Sequence, residues 1–172
     1  MNHAIATIPS PVGALTLIAS DRGLRAALIE GEREGRIPLE GPLQEDPGHP
    51  VIAEATRQLD EYFAGERTTF DVPLDPEGTD FQQAVWQVLR AIPYGETISY
   101  GEQARRLGDP RKARAVGAAN GRNPISIIVP CHRVIGSSGA LTGYAGGLEM
   151  KRTLLELEQR VHTGSEQLAI ST

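Results

Sequence analysis

Ionisable sulfur is scarce in this chain. Cys131 is the sole cysteine among 172 residues, so no internal disulfide can form and no thiolate zinc cluster can be built. Histidine is nearly as rare. His3, His49, His132 and His162 are scattered without metal-ligand spacing, so neither a metal nor another cofactor is expected. No apolar run approaches the ~18 residues that mark a membrane span. The opening Met1-Asn2-His3-Ala4-Ile5 lacks the basic start and apolar core of a secretion signal. A cytoplasmic protein is the expectation.

What is present suits a packed core. Hydrophobic residues make up 40% and charged residues 23%. The net charge of -5 argues against a nucleic-acid partner, but its distribution argues otherwise. Residues 1–77 carry 6 basic and 14 acidic side chains, whereas residues 78–172 carry 11 basic and 8 acidic ones. The window 105–133 holds Arg105, Arg106, Arg111, Lys112, Arg114, Arg122 and Arg133 against Asp109 alone. A local basic surface attracts phosphate even on an acidic protein, because salt screens distant charge beyond roughly 10 Å. A solvated charged face is the alternative.

The first segment reads as an antiparallel meander: His3–Ile8, Ala14–Ala19 and Leu24–Glu30, punctuated by Pro9-Ser10-Pro11 and Asp21-Arg22-Gly23. The stretch 31–50 is rich in Gly, Pro and Glu and reads as a long loop. Val51–Ala64 has helical spacing at Val51, Ala55, Leu59 and Tyr62 or Phe63. Phe70–Val72 is expected to return to the sheet, and Pro73–Gly78 to link two domains, 1–78 and 79–160.

The second segment reads as helical. Thr79-Asp80-Phe81-Gln82 fits a capping box, followed by an apolar stripe from Phe81 to Ile92 that Pro93-Tyr94-Gly95 stops. Ser99-Tyr100-Gly101-Glu102 suggests a second capping box. It opens a helix ending at Leu107-Gly108, and a third helix spans Arg111–Gly121. Two short helices joined by a tight Gly-containing turn resemble a helix-turn-helix. The outward face of the third helix is Arg114, Gly117, Ala118 and Gly121, one long cation among residues with almost no side chain. That face suits close backbone approach, either to a ligand or to another element of the fold. Ile125–Val129 then reads as an apolar strand ending at Pro130-Cys131-His132-Arg133. Gly136–Gly147 reads as a loop, Leu148–Arg160 as a last helix, and residues 161–172 as a frayed tail.

A lone cysteine is usually a small buried hydrophobe. Here its neighbours favour chemistry. Pro130 fixes the backbone, and His132 and Arg133 are potential cations that favour the thiolate, the nucleophilic form. His132 can take the thiol proton directly or through a water. Glu158 lies four residues after Leu154 and three after Leu155, on or beside the apolar face of the last helix. A carboxylate there needs a partner. Candidates are His132, the base that Glu158 would then orient, or Lys151 or Arg152.

Pro130-Cys131-His132-Arg133-Val134 resembles the active-site motif of the O6-alkylguanine-DNA alkyltransferases. The similarity runs from about residue 79 to 158. It takes in Ile92–Thr97, Ser99-Tyr100-Gly101, Arg114–Gly117, Asn120–Pro124, Gly143–Gly147 and Leu154-Leu155-Glu156. The resemblance implies an α+β fold. A small antiparallel sheet with one helix, ribonuclease H-like, would precede a mainly helical domain with a helix-turn-helix. It implies an enzyme that transfers the alkyl group of O6-alkylguanine, with O4-alkylthymine as a further substrate, irreversibly to Cys131. His132 would be the base, Glu158 its orienter, and Tyr100 the donor to the guanine ring. Ala113, Arg114, Gly117, Ala118, Gly121 and Ser99 would contact DNA in the minor groove. Arg114 would fill the gap left by the extruded base. Asn123 would tie the recognition helix to the cysteine segment. Val134, Tyr144, Ala145 and Gly146 would line the guanine pocket. The implied partner is double-stranded DNA carrying the lesion, bound by a monomer or by molecules side by side. Rival readings are a non-catalytic alkylated-DNA binder and a cysteine hydrolase. Ala145 stands where many relatives have serine, which bears on the range of substrates.

Overall fold

The computed structural model describes residues 3–31, 41–139, 144 and 146–171. Its fold is α+β. Strands β1 (His3–Ile8), β2 (Leu15–Ala19) and β3 (Leu24–Ile29) form the expected antiparallel meander, with Ile5 opposite Ile18 and Leu17 opposite Ala27. A fourth strand, β4 (Leu43–Glu45), pairs parallel with β1, giving the order β3-β2-β1-β4. It lies within the stretch read as loop. Three residues, all exposed, leave too short a pattern for a strand to be read from sequence.

Helix α1 (Pro50–Phe63) covers the sheet. Proline at its first position has no N–H to lose, and the His49 side chain accepts from the Val51 amide. Its buried face is Ile52, Ala55, Gln58, Leu59 and Tyr62. Phe70–Val72 does not rejoin the sheet. Leu74 instead forms a single parallel bridge with Leu24.

Helix α2 (Asp80–Arg90) begins with the full capping box. The Thr79 hydroxyl accepts from the Gln82 amide and the Gln82 side chain accepts from the Thr79 amide. Such a cap contributes about 1 kcal/mol. Val85, Trp86 and Leu89 are buried, and the Trp86 indole donates to the Ala119 carbonyl at 2.9 Å. In helix α3 (Tyr100–Arg106) only half of the second capping box forms. The Ser99 hydroxyl accepts from the Glu102 amide, while the Glu102 carboxylate turns to Arg105 and Arg106. A turn through Gly108, whose φ of 106° suits glycine, leads to a 3-10 turn at Pro110–Lys112. Helix α4 then spans Ala113–Asn120, shorter than expected because Pro110 and the Asp109 cap hold the first residues in the tighter form. A reciprocal amide pair between Gln103 and Asn120, at 2.9 and 2.8 Å, locks α3 to α4. Helix α5 (Leu148–Ser171) continues beyond Arg160, since no proline interrupts it.

One apolar core runs through both halves, from Leu15, Leu17 and Leu59 to Trp86, Leu89, Val116 and Leu154. The backbone also crosses between them. The Ala27 amide donates to the Pro124 carbonyl at 2.9 Å, and the Ser126 amide donates to the Ala27 carbonyl at 3.0 Å.

Candidate active site

The segment leading to Cys131 is not the expected strand. After the isolated bridge between Ile125 and Ala27, it is a succession of tight turns. The Ile128 amide donates to the Ser126 carbonyl at 2.9 Å across Ile127, whose φ is 73°. That conformation costs a β-branched residue roughly 1–2 kcal/mol. Burying its side chain, which is 1% exposed, contributes about 1.5–3 kcal/mol in return. Asn123 holds the turns together, donating to the Val129 carbonyl at 2.9 Å and accepting from the Ile125 amide at 3.0 Å. Pro130, at φ −83° and ψ 65°, makes the final bend, and the Cys131 amide donates to the Val129 carbonyl at 2.8 Å. A 3-10 turn, Cys131–Arg133, follows. It leaves Cys131 half-buried and sends His132 and Arg133 into the interior.

Glu158, on α5, receives both. His132 Nε2 lies 2.6 Å from Glu158 Oε2, and Arg133 donates through Nε at 2.8 Å and Nη2 at 3.1 Å. The Tyr62 hydroxyl donates to the same Oε2 at 2.6 Å, and the Gly95 amide reaches Oε1 at 3.5 Å. Gly95 has φ 82°, and a Cβ there would stand 2.8 Å from the His162 ring, so glycine lets α5 approach. Arg133 also donates to the Ile92 carbonyl at 2.7 Å and lies over the Tyr94 ring.

Burial pushes the Glu158 carboxyl up, but the hydrogen bond from His132 and the hydrogen bonds and charge of Arg133 outweigh it and hold it at about 2. Burial pushes His132 down, against the pull of Glu158. Arg133 balances the carboxylate charge, so His132 stays a neutral imidazole and the contact with Glu158 is a hydrogen bond to an ionised acid. A carboxylate only accepts, so the proton of His132 sits on Nε2. Nδ1 keeps its lone pair and makes no hydrogen bond among the described residues. A buried neutral imidazole oriented in this way has a lone pair able to accept a proton.

On the other side of Cys131, the strand pair β5 (Ile98–Ser99) and β6 (Val134–Ile135) runs parallel, matching Ile98 with Val134 and Ser99 with Ile135. It brings Tyr100, the first residue of α3, beside the cysteine turn. The Tyr100 ring faces Gly117 of α4, where a Cβ would lie 3.8 Å away. The fully buried Lys151 of α5 places its ammonium 5.9 Å from the Tyr100 ring centre. Burial pushes Lys151 down while interaction with Cys131 pushes it up. Of the two cations expected beside the sulfur, Arg133 points into the Glu158 cluster and His132 is neutral. Lys151 interacts with Cys131 by charge, and such an interaction favours the thiolate.

Arg114 and Ala118 are exposed along α4, with Gly121 at its end and Gly117 and Ala113 half-buried. The basic window is smaller than its sequence count. Arg105 and Arg106 pair with Glu102, Arg111 with Asp109 and Arg133 with Glu158. Glu102 lies just outside the window that was counted. Arg114 and Arg122 have no ion pair among the described residues.

Two family models match the chain. The DNA binding domain of 6-O-methylguanine DNA methyltransferase covers residues 80–160, and the ribonuclease-like domain of the same family covers residues 4–76. The chain belongs to the 6-O-methylguanine DNA methyltransferase family. A methylated-DNA–protein-cysteine methyltransferase of Methanosarcina acetivorans is 51% identical over 89% of this chain and 96% of its own. The Mycobacterium bovis protein of that name is 56% identical over 89% and 90%. The crystal structure of Mycobacterium tuberculosis OGT in complex with DNA superposes with a TM-score of 0.83 at 53% identity, covering 94% of each chain. The O6-methylguanine DNA methyltransferase of Methanococcus jannaschii gives 0.65 at 29% identity, over 90% and 93%.

Within this family fold, Cys131, His132, Glu158, Tyr100, Asn123 and Val134 converge around one turn. Ser99 uses its hydroxyl oxygen as the α3 cap. The Tyr144 ring packs beside Gly146, close to Ile29 and Met150. Ala145 and Gly143 lie outside the described residues. Sequence reasoning left the partner of Glu158 open among His132, Lys151 and Arg152. It missed Arg133 as its main counter-charge, the interaction of Lys151 with Cys131, and the bond from Tyr62 to Glu158. Tyr62 carried a legible signal. A tyrosine on the apolar face of α1 brings a hydroxyl that needs a buried partner.

Proposed function

We propose that this protein repairs alkylated DNA by moving the alkyl group of O6-alkylguanine onto Cys131, once per molecule. The observation that carries the reading is the Cys131 turn with its neutral, buried His132 oriented by Glu158. His132 Nδ1 takes the thiol proton, directly or through one water. The thiolate attacks the alkyl carbon, a sulfur–carbon bond forms, and the carbon–oxygen bond breaks with its electron pair left on the guanine. Tyr100 donates to the guanine ring and makes the base a better leaving group. A thioether is not hydrolysed as a thioester is, and the chain has no second cysteine to resolve it.

The target atom is hidden inside a duplex, so the base has to leave the stack at a cost of a few kcal/mol. Arg114 is exposed, without an ion pair among the described residues, on a helix with little else projecting. It suits insertion from the minor groove, with α3 and α4 acting as a helix-turn-helix. The DNA complex of the M. tuberculosis relative supports DNA as the partner. Mixing the protein with O6-methylguanine duplex and weighing it tests the reading. A gain of about 14 Da on Cys131, one methylene unit, is expected of covalent transfer. Binding without gain points to a non-catalytic binder, and continuous ester or peptide cleavage points to a hydrolase.

Arg114→Ala is expected to slow repair of duplex DNA by about ten-fold or more, because an inserted side chain offsets the unstacking cost. Its reaction with free O6-benzylguanine should be little changed. Equal losses on both substrates would remove Arg114 from the extrusion step. The pH profile follows from His132. Its pKa is depressed below 6.5, so the neutral base persists as pH falls and the single-turnover rate should decline only below that value. A rate already falling above pH 6.5 would mean that another group is the base.

A further inference from the structure

The amino-terminal half carries none of the motifs on which the family resemblance rests, yet one of its side chains enters the active-site cluster. Tyr62 is fully buried on α1, 96 residues from Glu158 in sequence, and its hydroxyl lies 2.6 Å from Glu158 Oε2. That oxygen is the one that accepts from His132. We propose that Tyr62 is a positioning residue for alkyl transfer, donating to the shared Glu158 oxygen and so limiting how strongly the carboxylate holds a proton on His132. The proposal rests on the reading of His132 as the base.

The argument is one of shared charge. The carboxylate is divided among the His132 imidazole, the Arg133 guanidinium and the Tyr62 phenol. Each donor that draws on it weakens its attraction for an imidazolium. With the phenol gone, Glu158 favours protonated His132, which cannot take the thiol proton. Burial and the neighbouring carboxylate push the Tyr62 pKa far up, so the hydroxyl remains a donor throughout the working range. The other groups facing this cluster are Tyr94 and the Gly95 amide after α2, Cys131 and Arg133 in the 3-10 turn, and Lys151 on α5. Arg160 acts on Tyr94 by charge, and His162 packs against Gly95. A purely packing role is the competing account, since the Tyr62 ring also meets Phe63, Phe70 and Tyr94.

The test is single-turnover transfer from an O6-methylguanine duplex to the full chain, from about pH 5 to about pH 9, with His132 titration followed by imidazole nitrogen NMR. Wild type, Tyr62→Phe, Glu158→Gln and the double variant are compared. Tyr62→Phe is expected to raise both the acid limb and the His132 titration by about 0.5–1 pH unit, slowing transfer about three- to ten-fold on the acid side. It should add nothing in the Glu158→Gln background. A lowered melting temperature with limb and titration unmoved would overturn the role and leave only packing. Slow transfer by Glu158→Gln beside an unmoved Tyr62→Phe would overturn Tyr62 alone. An unaffected Glu158→Gln would sink the base reading and this proposal together. Should Tyr62→Phe not fold, 3-fluorotyrosine at position 62 keeps the ring and strengthens the donor. The limb should then move down, and a fixed limb counts against the proposal.

Discussion

Cys131→Ala is expected to bind O6-methylguanine duplex as wild type does and to gain no mass from it. The side chain is half-buried and small, so its loss opens little space and the fold should melt near the wild-type temperature. The electrostatic surroundings stay in place: Lys151, Tyr100, the His132–Glu158 pair and the exposed Arg114 are untouched. What disappears is the one atom able to form the new bond. Calorimetry or gel shift should report unchanged affinity for the lesion, and mass spectrometry should report the unmodified chain at any incubation time. Residual transfer in this variant would place the acceptor elsewhere and undo the mechanism at its first step. Cys131→Ser makes the same point with a smaller change of shape, since a hydroxyl is a far poorer nucleophile at neutral pH than a thiolate.

Glu158→Gln carries the other large effect, on stability and on rate together. Among the described residues the carboxylate is the sole acidic partner of Arg133, a residue that is 6% exposed. Neutralising it strands a buried cation, a change that costs about 3–5 kcal/mol. For a chain of this length, that lowers the melting temperature by on the order of 10 °C. The variant should also lose the acid sensitivity of stability that this group confers. The Glu158 carboxyl is depressed from 4.5 to about 2, so its contribution is complete above 4.5 and lost as pH falls toward 2. Adding Arg133→Met removes the stranded charge and should return part of the stability while leaving transfer slow. Thermal melts and single-turnover rates on the two variants separate these effects. A Glu158→Gln protein that melts like wild type would mean that Arg133 finds another counter-charge.

Much of the site was legible because its chemistry is local in sequence. Cys131, His132 and Arg133 are consecutive, the capping box at Thr79 announces α2, and the small outward face of α4 shows in residue size alone. Glu158 could be placed on the inner side of α5 from its spacing to Leu154 and Leu155. The choice among its partners was settled only by tertiary packing. Arg133 and Lys151 look interchangeable in a sequence, yet the 3-10 turn aims the first at Glu158 and the buried face of α5 aims the second at Tyr100. The Ile125–Val129 run misled for a definite reason. Four apolar residues and Ser126, all buried, satisfy the pattern of a strand, and nothing in their composition reports that Ile127 adopts φ 73°. The basic window misled through Glu102, a carboxylate outside the counted range that takes two of its arginines.

The hydrogen bonds between Ala27 and residues 124–126 have a consequence for how such a protein can diverge. They join main chain to main chain, so the tether to the Cys131 turn depends on the backbone at position 27, and the buried alanine side chain there answers only to the packing of the core. An early strand can steady a distant reactive atom while its own spelling drifts. A tether of that sort constrains geometry and leaves no signature for a motif search to find.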